Sequence, residues 1–199
     1  LESDVLSGLG TKSKGALAGL ARIAVFSSIA KSLVIPRLGE WIRKHPDVQI
    51  EMISAELRDI PELLSSGNAD FIFSNQASPQ NGIENHLIGS EEYVLIRGTK
   101  KGSRQYVYLD HDMEDLTTFD FFKNQGRKNI SLKRSYFNNI EILIEAVKQG
   151  IGLAVVPLHL LKDEKGIEII AKDNKSKSPI YFSYYKQSFY TPLQKEIIE

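Results

Sequence analysis

Between Ala21 and Trp41 the chain reads ARIAVFSSIAKSLVIPRLGEW, and no other stretch limits its possible folds so strongly. Ile23, Val25 and Phe26 lie in a run of β-formers, which predicts a short strand buried on both faces. Ser27 and Ser28 stop that strand, and their hydroxyls suit a helix N-cap, accepting from the free amides of a first turn. Apolar residues then recur at Ile29, Leu33, Val34, Leu38, Trp41 and Ile42, a helical spacing with one wide apolar stripe. A strand, a short polar turn and a helix place a helix N-terminus at the carboxyl edge of a parallel sheet. Small ligands, especially anions, tend to bind there.

The same rhythm continues. After the turn His45-Pro46-Asp47, the alternation of Val48, Ile50, Met52 and Ile53 predicts a strand. Asp59 is a candidate N-cap for a helix with Pro61 in its first turn, ending at Ser65–Asn68. Ala69–Phe73 is a further short strand, stopped by Ser74-Asn75-Gln76. Two βαβ units with short turns predict a parallel, doubly wound sheet. Residues 77–90 read as a polar loop, Tyr93–Arg97 as a strand and Gly98–Arg104 as a turn. A second cycle follows: strand Gln105–Leu109, helix Thr118–Asn124, strand Asn129–Lys133, and helix Ile140–Gln149 closed by Gly150. A buried strand Gly152–Val156 ends at Pro157, before a short helix at Leu158–Leu161. Strands at Ile167–Ile170 and Pro179–Tyr185 and a last helix over Thr191–Ile198 complete the chain. The two halves share this rhythm without a detectable sequence repeat.

A length of 199 residues suits one ordinary domain or two small lobes. Lys and Arg number 25 against 25 Asp and Glu, so no strong field draws the chain to nucleic acid or an acidic membrane. Without Cys there are no disulfides and no thiolate metal sites. No apolar run approaches the roughly 20 residues that span a bilayer, and Leu1–Gly10 has no signal-peptide pattern. The chain does not begin with Met, so an excised fragment or a processed product is expected. Residues 1–19, with Gly8, Gly10, Gly15 and Gly19, read as a linker remnant.

Polar residues just past predicted strand ends or just before predicted helices form the functional shortlist: Ser27 and Ser28, Asn75 and Gln76, Asn138 and Asn139. Each has two readings. It can cap a helix, or it can face a cleft in which amides and side-chain donors converge on a ligand. His111 stands between Asp110 and Asp112, but neighbours in an extended segment point to opposite faces, so no metal is expected. The histidines at 45, 86, 111 and 159 have no nucleophile-and-base pattern around them, and G-x-S-x-G elbows and phosphate loops are absent. Gly150-Ile151-Gly152 follows a helix instead of opening one, unlike a dinucleotide fingerprint. Lys133-Arg134 beside Tyr136-Phe137 reads either as an anion-binding or nucleic-acid-binding pair or as a solvated strand end. No catalysis and no cofactor are expected.

The segment Arg22–Ile96 resembles the effector-binding domain of LysR-type transcriptional regulators, through RIAVFSSIAKSLVIPRLGEWIRKHPDVQIEM, LLSSGNADFIF and IGSEEYVLI. NNIEILIEAVKQGIGLAVVPLHLL is similar to that family's second-lobe helix, glycine pair and strand ending in proline, so the resemblance covers nearly all of residues 20–199. It departs from the commonest pattern at Ile29, often threonine, and at Asn139, often serine; both bear on the type of ligand. The resemblance implies an α/β fold of the type 2 periplasmic-binding-protein kind, two Rossmann-like lobes joined by two crossover strands around an effector cleft. Lobe I would take 20–93 plus 180–199, and lobe II 94–179. Ser27, Ser28, Asn75 and Asn139 would line the cleft, with Asn138 and Pro157 nearby. The first helix, Ile29–Arg43, would pack against lobe II of a partner subunit, giving a homodimer and, in the full protein, possible tetramers. Promoter DNA would be touched only by an N-terminal winged helix-turn-helix, not found in this chain. The implied location is cytoplasmic, with no membrane partner. Two rivals share the fold: an extracytoplasmic solute-binding protein, and a small enzyme such as a dehydratase, which needs an acid or base the shortlist lacks.

Overall fold

The structure, a computed structural model, describes residues 17–102, 104, 106–127, 130–170 and 174–199. The chain forms two compact units, Leu1–Asn85 with Phe182–Glu199, and His86–Tyr181.

In the first unit β1 (Gly19–Val25) lies between β2 (Val48–Ser54) and β3 (Phe71–Ser74), parallel to both. β9 (Ser176–Tyr185) follows β3, giving the order β2-β1-β3-β9. Both faces of β1 are covered, as its unbroken apolar run predicts. Ala21 and Ile23 pack with Phe71, Phe182, Tyr184 and Leu193. Ala24, on the other face, packs with Ile60, Leu64 and Ile72. Arg22 is the polar exception: its Nη2 lies 2.9 Å from Asp70 Oδ1, and its amide donates to Asp70 Oδ2 at 2.8 Å. That pair ties β1 to the residue preceding β3.

The helix after β1 has three parts. α1 (Ser27–Ile29) is one turn, Ala30–Val34 is a π-helical turn, and α2 (Ile35–Lys44) continues to the His45 turn. No residue of α2 is fully buried; Leu38 and Trp41 reach the core only part-way, and Ile35 is 54% exposed. α3 (Ile60–Ser65) crosses between β2 and β3. α6 (Pro192–Ile198) opens with a capping box, Thr191 Oγ1 accepting from the Gln194 amide and Gln194 Oε1 from the Thr191 amide.

The second unit is built on β4 (Ile83–Gly98), which pairs antiparallel with β7 (Leu153–Pro157) and β8 (Ile167–Ile170). β5 (Val107–Asp110) runs parallel to β7 and to β6 (Lys133–Tyr136), in the order β4-β7-β5-β6. α4 (Thr117–Lys123) and α5 (Ile140–Lys148) cover this sheet, through cores containing Phe121 and Phe122 and Leu143, Ile144 and Val147. β4 and β9 each begin in one unit and end in the other.

Two sequence expectations shift. The loop read over 77–90 is strand from Ile83 onward, although the residues there mix polar and apolar without alternation. Asn85 explains part of this: Oδ1 accepts from the Ser78 amide and from Ser183 Oγ, and Nδ2 donates to the Ser78 carbonyl, so a loop-like residue anchors a strand. The strand read at 129–133 lies at Lys133–Tyr136, in the register Asp110↔Tyr136; residue 129 lies outside the described residues, as do residues 1–16 of the linker reading. No helix among the described residues is long and apolar enough to cross a membrane.

Candidate functional site

β1, β2 and β3 end together. Val25 pairs with both Ser54 and Phe73, so the segments beginning at Phe26 and Asn75 leave the sheet at one edge. Ser27, Ser28 and Asn75 are thereby brought to that edge. The capping reading fails for the two serines. Phe26, in an extended conformation, is the N-cap residue, and no side chain caps the first turn. Ser27 is exposed, whereas Ser28 is 1% exposed, and its Oγ has no hydrogen-bond partner among the described residues. An unsatisfied buried hydroxyl of this kind costs about 1–3 kcal/mol. Asn75 is half-buried and follows a turn set by Ser74, whose Oγ donates to the Gln76 carbonyl at 2.6 Å.

The second unit carries the other shortlisted residues, also at strand ends or helix starts. For Asn139 the capping reading holds: Oδ1 accepts from the amides of Glu141 and Ile142 at 2.9 and 3.0 Å. Asn138 beside it is exposed. Pro157 is buried at the end of β7, opposite Tyr93 of β4.

Near Pro157 lies a group that motif reading missed. Glu91 is 6% exposed; its Oε2 accepts from the Tyr93 hydroxyl at 3.1 Å, and His159 Nε2 lies 3.5 Å from Oε1. Burial first, then the Glu91 carboxylate, pushes the Tyr93 phenol well above its ordinary range. Extending the two-residue period of Tyr93–Arg97 backward would have turned Glu91 inward; ending the strand at Tyr93 concealed it.

The Lys133-Arg134 pair is not an anion site. Lys133 is exposed, but the Arg134 side chain, 10% exposed, pairs with Asp110, itself hydrogen-bonded by Thr118. The same guanidinium donates to the carbonyls of Met113, Asp112 and Asp115 and sits over the rings of Phe119 and Tyr136, 5.0 and 5.2 Å from their centroids. Burial raises the Asp110 carboxyl above the usual range against the opposing pull of Thr118 and Arg134. Asp112 faces its own turn, Oδ1 accepting from the amides of Glu114 and Asp115. The described residues contain no group of three His, Asp or Glu side chains placed to hold a metal.

The family model for the LysR substrate binding domain matches residues 14–199. The chain belongs to that family. LysR substrate-binding domains are effector-binding parts of transcription regulators, not enzymes, and the fold is accordingly periplasmic-binding-protein-like. The domain is similar to the uncharacterized HTH-type transcriptional regulator YhjC of Escherichia coli K12, 32% identical over 78 residues. That alignment takes in 39% of this chain and 25% of YhjC, so the chain spans about a quarter of that relative. Among solved structures it is similar to the CcmR regulatory domain of Synechocystis PCC6803 in complex with 2-PG, with TM-score 0.75, 15% identity, 90% of this chain and 94% of that one. It is also similar to full-length LysG of Corynebacterium glutamicum with bound effector Arg, with TM-score 0.69, 15% identity, 94% of this chain and 67% of LysG.

Proposed function

We propose that this LysR substrate-binding domain senses a small organic effector, and we assign its recognition in the first unit to Ser27, Ser28 and Asn75; the second unit's own candidates are Asn138, Pro157 and, through the Nδ2 that its cap does not use, Asn139. Binding then alters how the helix-turn-helix part of the same cytoplasmic regulator grips promoter DNA. The observation that carries this reading is Ser28: a buried hydroxyl with no partner among the described residues, at the strand-end edge where ligands of such sheets bind. A polar ligand atom would satisfy it. The 2-PG on CcmR and the Arg on LysG support a small polar compound as the class of effector. Hydroxyls and amides dominate the shortlist, which suits recognition by hydrogen bonds.

For the ligand to change DNA binding it must favour one arrangement of the regulator over another. The outward face of α2, with Ile35 54% exposed and Ile42 part-exposed, is the surface we assign to a second subunit. Ligand-observed NMR with mixtures of amino acids, carboxylic acids and phosphorylated hydroxy acids tests the effector reading. At least one compound should show saturation transfer from the wild-type domain and much less from Ser28→Ala. Binding of none, or equal binding to both, would overturn it.

A further inference from the structure

The helix that carries Ser28 at one end and the α2 face at the other changes register in its middle. Over Ala30–Val34 the helix is of π type, and the amide of Ile35 donates to the Ala30 carbonyl, five residues back. A π turn holds one residue more than an α turn, and such insertions recur at functional sites. Ile35 follows it, and then Pro36, the second residue of α2. Proline has no amide hydrogen, and in an unbroken α-helix its ring would meet the carbonyl four residues earlier, that of Ser32. The Arg37 side chain meanwhile supplies a donor inside this region, its Nη1 donating to the Leu33 carbonyl at 3.3 Å.

We propose that Pro36 is a positioning residue for Ser28: it holds the extra residue in the π turn, and that residue sets the rotational phase between Ser28 and α2. One residue corresponds to about 100° of rotation in an α-helix. The wild-type phase lets two demands be met on one helix. Ser28, Ile29 and Ala30 are buried at the start, while Leu38 and Trp41 meet the first unit's core further on. A regular helix through the same residues satisfies one set only, turning the Ser28 hydroxyl away from its buried place or α2 away from the core. The functional consequence rests on the effector reading of Ser28, but the placement itself is tested without any ligand.

The chain has no cysteine, so Ser28→Cys introduces a single thiol. Its alkylation by iodoacetamide under native conditions reports whether residue 28 is buried. Slow labelling is expected in Ser28→Cys alone, and at least about tenfold faster labelling when Pro36→Ala is added, because the site opens locally while the rest stays folded. Deleting Ser32 in that double variant removes the extra residue, restores the phase and should return the slow rate. Deleting Ser32 while Pro36 is kept should lower the melting temperature below that of the form with both changes, because proline then stands in a regular helix. The proposal is overturned if Pro36→Ala leaves the rate unchanged, if the Ser32 deletion fails to restore it, or if faster labelling comes only with global melting. The labelling pattern and the wild-type ligand-binding experiment keep this proposal distinct from the effector reading. The wild-type domain decides the effector reading separately: failure of every compound in the NMR mixtures to bind it, with the labelling pattern intact, removes the effector reading and leaves the role of Pro36 standing.

Discussion

Arg134 and Ser28 are polar residues whose roles depend on partners far away in sequence, or on having none. Arg134 has its guanidinium against Asp110, three carbonyls and two rings, so removing it strands a buried carboxylate. Arg134→Met should lower unfolding free energy by about 3–5 kcal/mol in urea titrations, whereas Lys133→Met, at an exposed neighbour, should stay within about 0.5 kcal/mol. Nothing in the string KRSYF distinguishes the two lysine-like neighbours; the difference is made by Asp110, 24 positions earlier. Sequence left Ser28 two readings, helix cap or ligand contact; the structure removes the cap and leaves the hydroxyl buried without a partner among the described residues. Asn139 does cap. The two therefore separate in the absence of ligand: Asn139→Ala should lose about 1 kcal/mol of stability, and Ser28→Ala should lose nothing, since it deletes a hydroxyl that is buried without a partner among the described residues.

Elements were legible where their apolar period was long and unshared. α5 and β7 lie within a residue of their sequence bounds because periodicity and glycine punctuation agree there, whereas β1 starts at Gly19, at the end of the stretch read as linker. β4 was legible only over its apolar second half. Its first half is held by side-chain bonds such as those of Asn85 and has no apolar alternation to read. Its glycines give a sharp test of packing on one strand. A Cβ at Gly98 would stand 2.1 Å from the Val147 carbonyl oxygen, whereas at Gly89 nothing lies within 4 Å. Gly98→Ala should therefore cost about 3 kcal/mol or more through displacement of α5, and Gly89→Ala should be near neutral. The melting temperatures of the two variants check this directly. Spacing alone does not show the π turn, since the apolar residues from Ile29 to Ile42 read as one continuous helix.

For the molecule as a whole, alternating strand and helix signals with short turns were enough to give the fold class, and the resemblance gave the family, now supported by the match over 14–199. Neutral charge carried information too, since it argued against direct nucleic-acid binding by this part of the chain. What sequence could not supply is which hydroxyls remain unpaired after folding, because that depends on every neighbour at once. Self-association through α2 belongs at this scale. In sedimentation equilibrium the domain should dimerise, and Ile35→Glu, at a 54% exposed position, should weaken dimerisation without lowering the monomer's melting temperature. The central claim is that the Ser28 hydroxyl is kept for an effector. Its most direct test is a calorimetric titration of the wild-type and Ser28→Ala domains with a compound found to bind, alongside apo melting curves. The expected result is a dissociation constant about three- to tenfold weaker in Ser28→Ala, the worth of one hydrogen bond, with the apo melting temperature unchanged or higher. Equal affinities, or a melting temperature that falls together with affinity, would contradict it.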